Sequence, residues 1–293
     1  MLLQEKQNIP NHKKKFHKLK DNCHDETMLT LLLAKAFHSD KLNSYVNLTA
    51  LFKKGISYRM DIHGIPAPLL TNQHSVYVEY QTPFIRSYNE YVQTHWQKCK
   101  ISKHLYSDRV QKVEKRLESG KKCYIEGSTH FDMVIKAPNQ DSIYFEAKYM
   151  SDISYMTEYL PCRDQLSRCL DAAICDVTNN YTDMDGIKHL WFFLITPDMF
   201  RIEEFGGSQK PSVYDDPSRS RMYTYKMRDF MQLRYLEYSL PNLLEFDVLD
   251  HLSKRIFWIT WEEAAEFVVS NILIGEEAKL TESFFKERNL YPS

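Results

Sequence analysis

Hydrophobic positions recur along this chain with two periods, and the switches between them mark its elements. His130-Phe131-Asp132-Met133-Val134-Ile135 and Ser142-Ile143-Tyr144-Phe145-Glu146-Ala147-Lys148 read as strands, separated by the turn residues Pro138-Asn139-Gln140-Asp141. A strand over Lys122–Glu126 precedes them, and Gly127-Ser128-Thr129 then turns the chain. Leu190-Trp191-Phe192-Phe193-Leu194-Ile195-Thr196 is apolar throughout, which suits a strand buried on both faces and ended by Pro197. Arg255–Thr260 predicts another strand.

The helical period appears elsewhere. Leu166, Leu170 and Ala173 share one face of a helix over Arg163–Ile174. Leu105, Val110, Val113 and Leu117 predict a helix over 105–118 that Gly120 stops. Asp25-Glu26-Thr27 ahead of Met28–Phe37 reads as a helix with acids at its positive end. Thr260 and Glu263 resemble a capping box for an amphipathic helix over about 261–274 that should pack on the sheet.

These elements divide the chain. Residues 1–24 form a basic tail, including Lys13-Lys14-Lys15-Phe16-His17-Lys18, which either holds a phosphate backbone or is a solvated terminus. Residues 25–104 are expected to be mainly helical, with a helix-like run at Phe84–Gln97, and to pack on an α/β core at 105–200. Residues 201–293 extend the core with a loop (206–218), a basic and aromatic segment, a strand and a helix. The aromatics Tyr88, Tyr91 and Trp96 either stack on bases or belong to the core.

Composition narrows the class. The 293 residues are 43% hydrophobic, enough for a real core rather than a disordered chain. The formal net charge of −1 supplies no global field for nucleic acid, so binding would need a local patch. Six cysteines (Cys23, Cys99, Cys123, Cys162, Cys169, Cys175) include no Cys-x-x-Cys pair, which argues against a zinc site or iron–sulfur cluster of usual spacing and for reduced, structural thiols. Without a signal peptide or a bilayer-length apolar stretch, the expectation is a soluble, cytoplasmic protein with no membrane partner.

The candidate chemistry lies at the end of the second hairpin strand. Glu146-Ala147-Lys148 follows Asp132 by fourteen positions, and a hairpin brings the two acids together. Adjacent carboxylates repel and need a cation or a proton between them. Lys148, two residues after Glu146, lies on the same face of the strand. A second copy of the triplet, Glu277-Ala278-Lys279, lies in a polar, helix-like stretch with no strand before it, so context separates the two.

Asp132, Glu146 and Lys148 resemble the active-site core of the PD-(D/E)XK nuclease superfamily, over roughly residues 105–200. Phe131 stands where that superfamily's name has proline. The resemblance implies an α/β fold: a restriction-endonuclease-like core, with a mixed central sheet flanked by helices and helical N-terminal additions. It implies that Asp132 and Glu146, with the carbonyl of Ala147, hold Mg²⁺ (or Mn²⁺) and that Lys148 acts on the attacking water. Gln165 fills the place of a glutamine that approaches the metal or the phosphate, and Arg168 lies one turn on, as a nucleic-acid contact. A further acid is expected, and Glu90, Glu114, Glu118 and Glu126 are candidates by position.

The expected function is metal-dependent phosphodiester hydrolysis, by a DNA endonuclease of restriction or defence/repair type. Nucleic acid is the expected partner, and a homodimer is admitted. Arg221, Lys226 and Arg228, interleaved with Tyr223 and Tyr225, are the best local nucleic-acid patch; a surface helix with one packed face is the alternative. Three rivals stand beside this: an RNA or structure-specific nuclease, an inactive nuclease-fold scaffold, and a helical interaction protein.

Overall fold

A computed structural model describes residues 25–37, 74–97, 107–121, 126–137, 141–149, 164–198, 236–237, 239–246, 248–272 and 275–291. The helices and strands in chain order are α1 (Asp25–Phe37), β1 (Ser75–Gln81), α2 (Arg86–Thr94), α3 (Ser107–Glu118), β2 (His130–Lys136), β3 (Ser142–Ala147), α4 (Gln165–Val177), β4 (Leu190–Thr196), α5 (Leu249–Ser253), β5 (Ile256–Thr260), α6 (Trp261–Ile272) and α7 (Glu276–Lys286).

The five strands form one mixed sheet in the order β1-β2-β3-β4-β5. A short connection makes β2 and β3 antiparallel, and β1 also runs antiparallel to β2. The longer passages through α4 and α5 return the chain parallel, so β3, β4 and β5 share a direction. Helices cover both faces, and so β4 and β5 are buried at every position, which is why they read as unbroken apolar runs.

The period of two sorts the core. Val134, Tyr144, Phe192, Leu194 and Trp258 face α4 through Leu166, Leu170 and Ala173, with α2 alongside. Met133, Ile135, Phe145, Phe193 and Ile259 face α1 and α6 through Leu29, Leu33, Phe37, Ala265 and Val268. Phe145, Phe193 and Phe257 are register partners on neighbouring strands. Their rings stack at 5.3 and 4.9 Å. Each such pair contributes about 0.5–1.5 kcal/mol beyond its buried area. This ladder fixes β3 against β4 one residue before Glu146.

The edge strand is one that the sequence reading did not name. Region 25–104, expected to be mainly helical, supplies β1, and β1 rather than Lys122–Glu126 flanks the strand of Asp132. Residues 122–125 lie outside the described residues, and Glu126 is in a bend. Ser75-Val76-Tyr77-Val78 does alternate exposed and buried, but the pattern is short and Glu79 interrupts it at φ +54°. A non-glycine residue in that region is uncommon. The sheet also crosses the expected divisions, since β1 comes from 25–104 and β5 from 201–293.

Other expectations hold. Gly120, at φ +67°, follows the end of α3. Thr260 N donates to Glu263 Oε2 at 2.9 Å and Glu263 N to Thr260 Oγ1 at 3.2 Å, the reciprocal capping box of α6. Glu277-Ala278-Lys279 is helical, within α7. Tyr88 and Trp96 are buried in the core. Tyr91 packs against that core and stacks on His95 at 4.3 Å. Among the described residues, no helix is long and apolar enough to cross a membrane.

Candidate active site

The paired stretch of β2 and β3 ends at Met133 and Phe145, and Asp132 and Glu146 are the next residue on each strand. Side-chain alternation breaks at this point: Phe131 packs on the α4 side and Met133 on the opposite side. Ala147 N donates to Asp132 Oδ2 at 2.7 Å.

Glu146 is buried, at 2% exposure. Its Oε1 accepts from Gln165 Nε2 at 2.6 Å and faces Lys148 Nζ at 2.8 Å. Its Oε2 lies 3.6 Å from Cys169 Sγ. Gln165 and Cys169 are four apart on α4 and therefore on one helix face. Asp164 caps that helix by accepting from Ser167 N at 2.9 Å, which sets where Gln165 begins the first turn.

The electrostatics follow from burial and crowding. Burial, then the charge of Glu146, pushes the Asp132 carboxyl well above the usual carboxylate range, and Glu26 adds to this. The Lys148 ammonium and the Ala147 N–H act the other way and are outweighed. Burial opposes the charge on Lys148, but Glu146, Asp132 and Glu26 more than offset it and raise its pKa above the ordinary lysine value. Lys148 is thus held as an ammonium. Burial, then Glu146, pushes the Cys169 thiol up, so it stays protonated and donates.

Glu26 is the acid that the sequence reading missed. It comes from the first turn of α1, and its Oε2 accepts from Tyr149 N at 2.8 Å. Its only local signal was an acid at a helix start, which the helix dipole also explains. The four expected candidates differ in their exposure. Glu90 and Glu118 are exposed, and Glu114 is half-buried on α3. Glu126 is buried, its backbone N and O both held by Asn89 at 2.9 Å. Glu146 and Glu26 are both acids whose charge raises the Asp132 carboxyl.

The donor chemistry suits a hard divalent cation: carboxylates of Asp132 and Glu146 and the carbonyl of Ala147 are oxygen ligands. The raised Asp132 carboxyl marks an excess of acid that a cation would relieve. Among the described residues, no three or more His, Cys, Asp or Glu side chains already stand at metal-ligating separations.

Arg168 Nη2 donates to Ser128 O at 2.8 Å, which ties α4 to the turn before β2 and occupies part of the guanidinium. Cys169 and Cys175 are buried thiols outside any disulfide. Arg221, Lys226, Arg228, the loop at 206–218 and the lysines of the tail lie outside the described residues.

No protein-family model, curated protein or solved structure matches the chain.

Proposed function

We propose that this protein is a metal-dependent nuclease with a restriction-endonuclease-like core. The observation that carries the reading is the meeting of Asp132, Glu146 and Lys148 at the paired ends of β2 and β3, with Lys148 Nζ 2.8 Å from Glu146. The order of elements supports it: two antiparallel strands, α4, then a strand parallel to β3. Asp132, Glu146 and the Ala147 carbonyl would hold Mg²⁺ or Mn²⁺, and Glu26 is the nearby acid that would complete the set. The bound ion would supply an acidified water and neutralise charge at phosphorus.

The chain's own residues do the rest. Lys148, kept as an ammonium, orients the attacking water and stabilises negative charge as it develops on the phosphate oxygens. Its raised pKa argues against a general base. Gln165 holds the Glu146 carboxylate in place. DNA is the proposed substrate and RNA the alternative, because 2′-hydroxyl recognition leaves no mark at this centre.

The test is incubation of the purified protein with plasmid, single-stranded DNA and structured RNA, with Mg²⁺, Mn²⁺ or chelator. Metal-dependent cleavage that disappears in Asp132→Asn is expected. A folded protein that neither cuts any substrate nor binds Mn²⁺ by calorimetry would leave the inactive scaffold as the better reading.

A further inference from the structure

The chain just past β3 is fixed from several directions. Lys148 N donates to Ile195 O on β4 at 2.8 Å. The Trp261 indole Nε1 donates to Lys148 O at 3.0 Å. Tyr149 N goes to Glu26. Lys148 lies one residue beyond the end of β3, so its carbonyl needs a partner from elsewhere, and the indole provides it.

Trp261 is itself rigidly held. It is 1% exposed and is the first residue of α6, directly after β5. The capping box of Thr260 and Glu263 fixes that helix start. Trp258 Nε1 donates to Thr196 Oγ1 at 2.7 Å, tying β5 to the end of β4. The indole cannot leave Lys148 O without disturbing this corner.

We propose that Trp261 is a positioning residue for Lys148: its indole N–H anchors the main chain so that the ammonium meets Glu146 Oε1. Trp261 acts through Lys148 alone and touches no reacting atom. The consequence for cleavage rests on the nuclease reading; the anchoring of the ammonium does not.

The experiment replaces Trp261 in the full chain with phenylalanine (Trp261→Phe) and, to keep the shape of the indole while removing its N–H, with benzothienylalanine. The first readout is the rate of amine labelling at Lys148, mapped by peptide mass, with exposed Lys254 (54%) as internal reference. Loss of the anchor should speed labelling of Lys148 by roughly tenfold, the scale of one buried hydrogen bond, and leave Lys254 unchanged. The second readout is a double-mutant cycle on kcat: Trp261→Phe should cost roughly tenfold in the wild-type background and nothing further in Lys148→Ala.

Unchanged labelling of Lys148 in the benzothienylalanine variant overturns the proposal. So do kcat losses that multiply, since a merely structural tryptophan would act in either background. Faster labelling without any cleavage by the wild type would sink the nuclease reading and leave the positioning role standing.

Discussion

Ala147 gives its backbone N–H to the carboxylate of Asp132 at 2.7 Å, so the strand that carries one acid of the centre also holds the other. Burial, and then the charge of Glu146, raise the Asp132 pKa well above the usual carboxylate range in spite of this bond, which acts to lower it. The energetic tension of the centre resides on Asp132.

That tension predicts a gain in stability on neutralisation. A carboxyl whose folded pKa lies above its unfolded value binds its proton more tightly when folded. The metal-free protein is therefore favoured at low pH and loses stability as pH rises through the raised value. Asp132→Asn, which can still accept from Ala147, should raise the melting temperature at neutral pH by about 2–4 °C, the shift that ~1 kcal/mol gives in a domain of this size. Calorimetry at neutral and acidic pH checks it: the advantage should vanish once Asp132 is protonated in the wild type.

Metal affinity and turnover should separate at Lys148. Asp132→Ala or Glu146→Ala removes a charged ligand and should abolish both Mn²⁺ binding and cleavage. Lys148→Ala removes a nearby positive charge, so Mn²⁺ should bind as well or more tightly while the rate falls by roughly 10²–10³, as for loss of a transition-state donor. Titration calorimetry beside a cleavage assay decides this, and wild-type activity in Lys148→Ala would remove the role given to the lysine.

Gln165 holds Glu146 through a bond to a charged group, of the kind that contributes about 1.5–3 kcal/mol. Gln165→Ala should lower kcat by roughly tenfold or more by that measure. Gln165→Glu should be worse, because it sets a third acid against Glu146 and removes the donor. An undiminished rate in Gln165→Glu would show that the Glu146 carboxylate needs no help from α4.

With a net charge of −1, nucleic-acid binding must come from a patch. Neutralising Arg221, Lys226 and Arg228 together should weaken binding at low salt and flatten the salt dependence by about 0.9 for each duplex phosphate that is no longer neutralised. Deleting residues 1–20 is the matched control. A flatter slope in the deletion and not in the triple variant would assign the backbone contacts to the tail.

β4, β5 and the triplet Glu146-Ala147-Lys148 are legible in the chain, because their signals are local. A strand buried on both faces has to be apolar at every position, and it says so within seven residues. The two copies of the triplet are told apart by the same means, since one follows strand-forming residues and the other sits at helical spacing. Asp132 is reachable because a short turn leaves a hairpin partner little choice of register.

Glu26 and Trp261 are not legible. Glu26 meets Tyr149 across 123 positions and Trp261 meets Lys148 across 113. Each has an ordinary local reading, an acid at a helix start and an apolar residue opening an amphipathic helix. The edge strand β1 escapes the sequence for a related reason: its short alternation breaks at Glu79, and its partner β2 is about fifty residues away, a distance over which loop closure costs little more than for a near neighbour. Periodicity reports which face a residue turns inward. Which residue waits there is decided only when the faces pack, because burial is satisfied by any close neighbour, whatever its place in the chain.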